Sequence, residues 1–292
     1  MLIAQVANFF GQGVDRTNYE DGSWSRNVIP LKLGRYRVKI TQNDLVMSNR
    51  AKAEGFVHTS EIKIERVRSF EEGKRVMEDL CRLLSLAAIS QVRPFSYEYS
   101  NRQNSYSVSG QSMFWRPLLD IQNGEAVQSF VEQVWPRFRK LKRSRKLPEV
   151  IEMLTVAELP FQPLEVKLAQ VFIILENLKG TFARSNNIPF AKGFFRGISF
   201  PPKANPAKEK PLGFEQLLKN MLGEVGMKPS LRRVVGLRNE IIHFGLSRKT
   251  YESLFKHYET CQDLIREYLL RLLGYHGRYW IYSKACREQG LL

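Results

Sequence analysis

Cysteine is scarce in this sequence. Cys81, Cys261 and Cys286 are the three it has in 292 residues. They are too few and too scattered for a disulfide framework, and no CxxC or Cys/His spacing suggests zinc, which fits a reducing cytosol. No other side-chain cluster offers a divalent ion a site, so neither metal nor cofactor is expected. No stretch approaches the roughly 20 apolar residues that a membrane helix needs. The opening MLIAQVANFFGQGVDR lacks a basic leader and its apolar run is short, so it does not read as a signal peptide. A cytoplasmic protein without a membrane partner is therefore expected. The GxxxxGKS/T phosphate loop, HExxH, GxSxG and GxGxxG after a strand are all missing, which removes the commonest nucleotide-binding and hydrolytic signatures. Internal repeats and low-complexity tracts are missing too. Acid is the last shortage: 29 Asp and Glu face 45 Lys and Arg, a net charge of +16. A protein this basic usually meets something anionic, nucleic acid first. The plainer alternative is a basic surface that aids solubility.

What is present reads as an α+β chain. A strand-rich, mixed region over 1–148 precedes a helical region over 149–292. Residues 28–68 carry strand patterns. In LKLGRYRVKI (31–40), Leu31 and Leu33, then Tyr36, Val38 and Ile40, fall at every second position, and EIKIERV (61–67) places Ile62 and Ile64 likewise. Period two means one buried face and one wet face. Here the wet face is basic: Lys32, Arg35, Arg37 and Lys39. The period changes in FEEGKRVMEDLCRLLSLAAIS (70–90), where Val76, Leu80, Leu83, Leu84 and Ala87 recur at helical spacing. FSYEYSNRQNSYSVSG (95–110) then alternates Phe95, Tyr97 and Tyr99, breaks at NRQN, and alternates again at Tyr106 and Val108, a hairpin signal. Those aromatics either pack or, beside arginine, stack on bases.

A second helix is expected from about 125 to 141. It runs into PRFRKLKRSRK (136–146), in which seven of eleven residues are basic: Arg137, Arg139, Lys140, Lys142, Arg143, Arg145 and Lys146. The run either grips phosphates or is a solvated helix end before Pro148. LEVKLAQVFIILENLKGTF (164–182) is apolar nearly all round and predicts a buried helix, in which Glu176 wants a cationic partner. Residues 184–213, rich in Pro, Gly, Asn and Lys, predict a long loop. Helices follow at about 213–223, 230–243 and 249–273.

The stretch that needs explaining is GLRNEIIHFG (236–245). Ser230 is the expected N-cap of its helix and Gly245 its stop. At about 100° per residue, Leu231, Val234, Val235, Leu237, Ile241 and Ile242 form an apolar arc, and Arg238 falls in the middle of it. Arginine keeps its charge and tolerates burial badly without a partner. Arg238 therefore either pairs with an internal carboxylate, Glu176 being the natural candidate, or lines a cleft between helices or subunits. Asn239 and His243 lie together on one flank. A lone His243 near a helix C-terminus would simply enjoy the dipole. His58, His257 and His276 have no partner near them in sequence and receive no role.

Arg238-Asn239 followed by His243 resembles the R-x4-6-H motif of HEPN-domain ribonucleases. The setting is similar: a helical bundle over about 160–280, with the motif late in it and a long helix after it. More loosely, a strand-rich half before such a domain resembles the ApeA-type abortive-infection proteins of bacteria. The resemblance implies metal-independent cleavage of RNA, by attack of the 2′-hydroxyl, to a 2′,3′-cyclic phosphate and a 5′-hydroxyl. His243 would serve as general base or acid, Arg238 would hold the phosphate, and Asn239 would orient the imidazole or touch the phosphate. It also implies a homodimer. Arg238 and His243 stand about 140° apart on one regular helix, so one helix presents them poorly to one phosphate; either the helix loosens near Gly245 and swings His243 round, or two chains line one cleft, and the resemblance implies the second. The basic segments 136–146 and 184–210 would flank it. A toxin or antiphage effector follows, restrained by an antitoxin or woken by a phage-derived trigger. The alternative is a HEPN-type module without catalysis that binds nucleic acid or a partner protein, and a third reading is an unrelated basic protein with a coincidental motif.

Overall fold

The computed structural model describes residues 1–43, 56–110, 116–197, 205–284 and 288–292. The chain divides into two compact units, one of residues 1–139 with 273–292 and one of residues 140–272. The fold is α+β: a seven-stranded antiparallel sheet in the first unit, helices in the second. The sequence puts the boundary at 148/149 and everything beyond it in the helical part. The structure moves the boundary upstream and returns the last stretch to the first unit.

The sheet has the order β2 (Asp15–Asn18), β3 (Trp24–Leu33), β4 (Tyr36–Gln42), β5 (His58–Ile64), β1 (Leu2–Ala7), β6 (Arg93–Tyr99), β7 (Arg102–Ser105). Alternation fixes its register. Leu33 pairs with Tyr36, Leu31 with Val38 and Ile29 with Ile40, all buried, while Lys32 pairs with Arg37 on the exposed face. A slip of one residue would turn the apolar set out and the cations in. With about 1.5–3 kcal/mol for each buried aliphatic side chain, no other register competes. Gly34, at φ 61°, makes the tight turn between β3 and β4. Beyond the reach of β2 the free edge of β3 is covered by α2 (Gly124–Leu141): Gln128 Nε2 donates to Pro30 O at 2.7 Å, and Lys32 N donates to Glu132 Oε1 at 2.7 Å.

Helix α1 (Phe70–Ala88) packs on β1 and β6. Ser69 caps it, its side chain accepting from Glu72 N. The Glu72 carboxylate accepts from Tyr36 Oη at 2.7 Å and Arg68 N at 2.8 Å and pairs with Arg35. These donors, Tyr36 foremost, hold its pKa at about 2 against an ordinary 4.5. A lowered folded-state value means support that is full above 4.5 and is lost as pH falls towards 2. Glu72→Gln is accordingly expected to lower the thermal midpoint at neutral pH, with the two proteins converging in acid. Melting curves across that range check it.

The hairpin 95–110 turns earlier than its sequence suggests. Ser100 and Asn101, at φ 51° and 61°, form the turn, and Tyr97 lies opposite Asn104. Tyr106 and Val108 are outside the strand. The aromatics pack: Tyr106 lies edge-on to Tyr97 at 5.6 Å, Tyr97 to Phe70 at 5.9 Å, and Phe95 to His58 at 5.3 Å. The C-terminal strands β10 (Arg278–Ile281) and β11 (Glu288–Leu291) make a separate hairpin of this unit. It is tied down by Trp280 N to Leu118 O (2.9 Å) and Tyr282 Oη to Pro117 O (2.7 Å).

In the second unit, α4 (Leu164–Ser185) packs against α3 (Leu147–Ala157), α5 (Phe214–Glu224) and α6 (Arg232–Phe244), and α7 (Tyr251–Leu273) follows. The sequence predicts that α4 is buried all round, but the structure buries one face and leaves Val166 and Ile173 exposed. The core of the unit contains charge: Arg266 of α7 pairs with Glu158 at the end of α3, and both are fully buried. Beside them Tyr258 Oη donates to Ala157 O at 2.8 Å and accepts from Gln262 Nε2 at 2.9 Å. The expected loop 184–213 is partly built: β8 (Phe190–Ala191) pairs with β9 (Phe194–Phe195), and a short 3-10 turn spans Pro206–Lys208. The buried Arg196 stitches it, donating to Ala191 O and Glu209 O.

Candidate active site

Helix α6 begins one residue later than its sequence suggests. Leu231 occupies the N-cap position and no side chain caps the helix, so Ser230 lies outside it. Gly245 ends it as expected, at φ 75°, with its N–H donating to Ile241 O. Val234, Leu237 and Ile241 face the core. Arg238 does reach Glu176: Nη2 lies 2.9 Å from Oε1, and Nη1 donates to Asn239 Oδ1 at 3.1 Å. Its guanidinium lies 5.2 Å from the centre of the Phe214 ring. Lys179, one turn along α4, binds the other Glu176 oxygen at 2.7 Å. Two cations thus share one carboxylate, and the cluster keeps a net charge of +1. The Arg238 side chain is 22% exposed, so it is not sealed inside the unit.

His243 occupies the last turn of α6 and is exposed, and among the described residues its side chain makes no hydrogen bond. Arg238 and His243 do not meet within one chain, because five helical positions rotate them about 140° apart. Apolar side chains crowd this end of the helix. Ile242, Phe244 and Leu246 are exposed, as is Tyr251 at the start of α7.

The basic run 136–146 is not one rail. Arg137 and Arg139 belong to the first unit, where Arg139 Nε pairs with Asp79 Oδ2 at 3.6 Å, and the rest to the second. Lys140, Arg143 and Lys146 are exposed and Lys142 is half-buried. Arg145 corrects the expectation that the whole run is available to RNA. It is buried, pairs with Glu224, and lies over the Phe182 ring at 5.4 Å, so it holds α5 rather than phosphate. Lys146, at φ 49°, occupies the N-cap position of α3.

The chain matches no protein-family model, and no curated protein or solved structure is significantly similar to it. Among the described residues no group of three or more His, Cys, Asp and Glu could hold a metal ion, and no helix is long and apolar enough to cross a membrane. Sequence reasoning missed Lys179 and Phe214 beside Arg238. Lys179 was within reach, since it stands three positions after Glu176 on a helix. Phe214 carried no signal, because the excursion 184–213 intervenes. His257 was given no role, yet it lies in a groove lined by cations.

Proposed function

We propose that the second unit is a metal-independent endoribonuclease of the HEPN type, working as a pair of chains. One observation carries the reading. The same helix bears a partly exposed guanidinium, in a cluster with net positive charge, and a free exposed imidazole, and apolar side chains flank them. Packing that apolar end against a second copy would cover Ile242 and Phe244 and bring Arg238 of one chain towards His243 of the other. The imidazole would take the 2′-hydroxyl proton, the 2′-oxygen would attack phosphorus, the bond to the 5′-oxygen would break, and that oxygen would take up a proton. The guanidinium would stabilise the charge on the crowded phosphate. Lys140, Arg143 and Lys146 remain suited to backbone phosphates. A toxin or antiphage role, restrained by an antitoxin or a phage-derived trigger, rests on the HEPN and ApeA resemblances alone.

A second reading has its own support. Arg238 is already engaged by Glu176, Asn239 and Phe214, as a structural arginine would be. The unit would then bind nucleic acid or a partner without cutting it. Mixed RNAs incubated in EDTA with wild type and with His243→Ala separate the two. Cleavage by wild type alone, leaving cyclic-phosphate ends, supports the enzyme. Equal binding by both without cleavage supports the module.

A further inference from the structure

Helix α6 has a second polar face, turned away from Arg238. Arg233, five positions before Arg238 and so about 140° around the helix, joins Ser253, Lys256, His257 and Thr260 of α7 around a cavity of about 540 Å³. Its floor is apolar, formed by Val234, Leu237 and Cys261. Arg232 and Lys249 extend the same groove. Among the described residues these four cations, Arg232, Arg233, Lys249 and Lys256, form no ion pair. The one acid at the rim, Glu240, is already engaged: its Oε1 accepts from Ser247 Oγ at 2.9 Å and from Arg248 N at 2.8 Å. Four positive charges less one leave the groove at +3.

His257 is half-buried among these charges. Burial first, then Lys249 and Arg233, push its pKa below the ordinary 6.5, with Glu240 opposing. Like charges gathered round one cavity repel, and an anion seated among them relieves the repulsion. The donors are of the right kind: guanidinium forks, ammonium groups, and the hydroxyl of Ser253.

We propose that the groove between α6 and α7 is an anion site that takes a phosphate group, carried by a nucleic-acid strand or by a free phosphorylated small molecule. The site is separate from Arg238 and His243 and stands whether or not the chain cleaves RNA.

The test uses the full chain and two probes, inorganic pyrophosphate and a short 2′-O-methyl oligoribonucleotide that cannot be cut by its own 2′-oxygen. The histidine ring NMR signals are followed as each is added. Pyrophosphate is expected to move the His257 signal and to raise the pH at which it titrates. Arg233→Gln/Lys256→Gln should weaken that binding at least tenfold, and Arg232→Gln/Lys249→Gln should weaken it as well. Lys63→Gln/Lys219→Gln, which removes the same charge elsewhere, should not. Displacement of pyrophosphate by the oligonucleotide identifies a strand as the source of the phosphate; failure to displace it identifies the small molecule. A His257 signal unmoved by either probe, or groove variants that bind as wild type does, would overturn the site.

Discussion

His243→Ala is expected to lower the rate of RNA cleavage by about 10²–10⁴-fold, the usual contribution of a positioned general acid or base. The variant is informative because its fold should be untouched. His243 is exposed and its side chain makes no hydrogen bond among the described residues, and substitutions at such positions stay within about 0.5 kcal/mol. Lost cleavage with an unchanged melting curve therefore reports chemistry. Arg238→Ala is less clean. It also removes one of the two cations that Glu176 binds and a cation over Phe214, so some of its effect would be structural. Cleavage that survives His243→Ala at the wild-type rate would remove the imidazole from the mechanism.

Glu158→Ala is expected to have the largest effect on stability, about 3–5 kcal/mol, as for removal of one partner of a buried ion pair. Glu158 and Arg266 have no access to water, so the substitution would leave a guanidinium charge in the core. The loss is a large part of the 5–15 kcal/mol typical of a whole domain. The pair as a unit is a weaker contributor than its halves. Replacing both together, Glu158→Leu with Arg266→Met, should return most of the loss, because apolar groups of similar volume need no ion partner. Urea unfolding of the three proteins decides it. A single variant as stable as wild type would mean that water or another carboxylate reaches Arg266.

Much of this fold was legible in the sequence where one face is buried and the other wet. The β3–β4 register follows from Leu31, Leu33, Val38 and Ile40, and α1 from its helical spacing. The interior strand β1 was not, because Gln5 is the one polar break in LIAQVA, and a run that short has no period. Nor was β10–β11, whose short strands depend on contacts with Pro117 and Leu118 far away in sequence. At the site, Glu176 was named as the partner of Arg238 because a charge on an apolar arc demands one, and it lies there at 2.9 Å. Arg145 was misjudged for the opposite reason. A run of basic residues counts charges but does not say which of them the fold turns inward. The groove at His257 escaped notice because it needs two helices facing each other, and no single stretch of sequence contains it.

The central claim is that Arg238 and His243 act together across two chains. Mixing two inactive proteins, Arg238→Ala and His243→Ala, tests it directly. A mixed pair would contain one site with both residues lost and one with both intact, so cleavage should reappear on mixing and track the fraction of mixed dimers. A mixture as inactive as either protein alone, although the chains exchange, would contradict the claim.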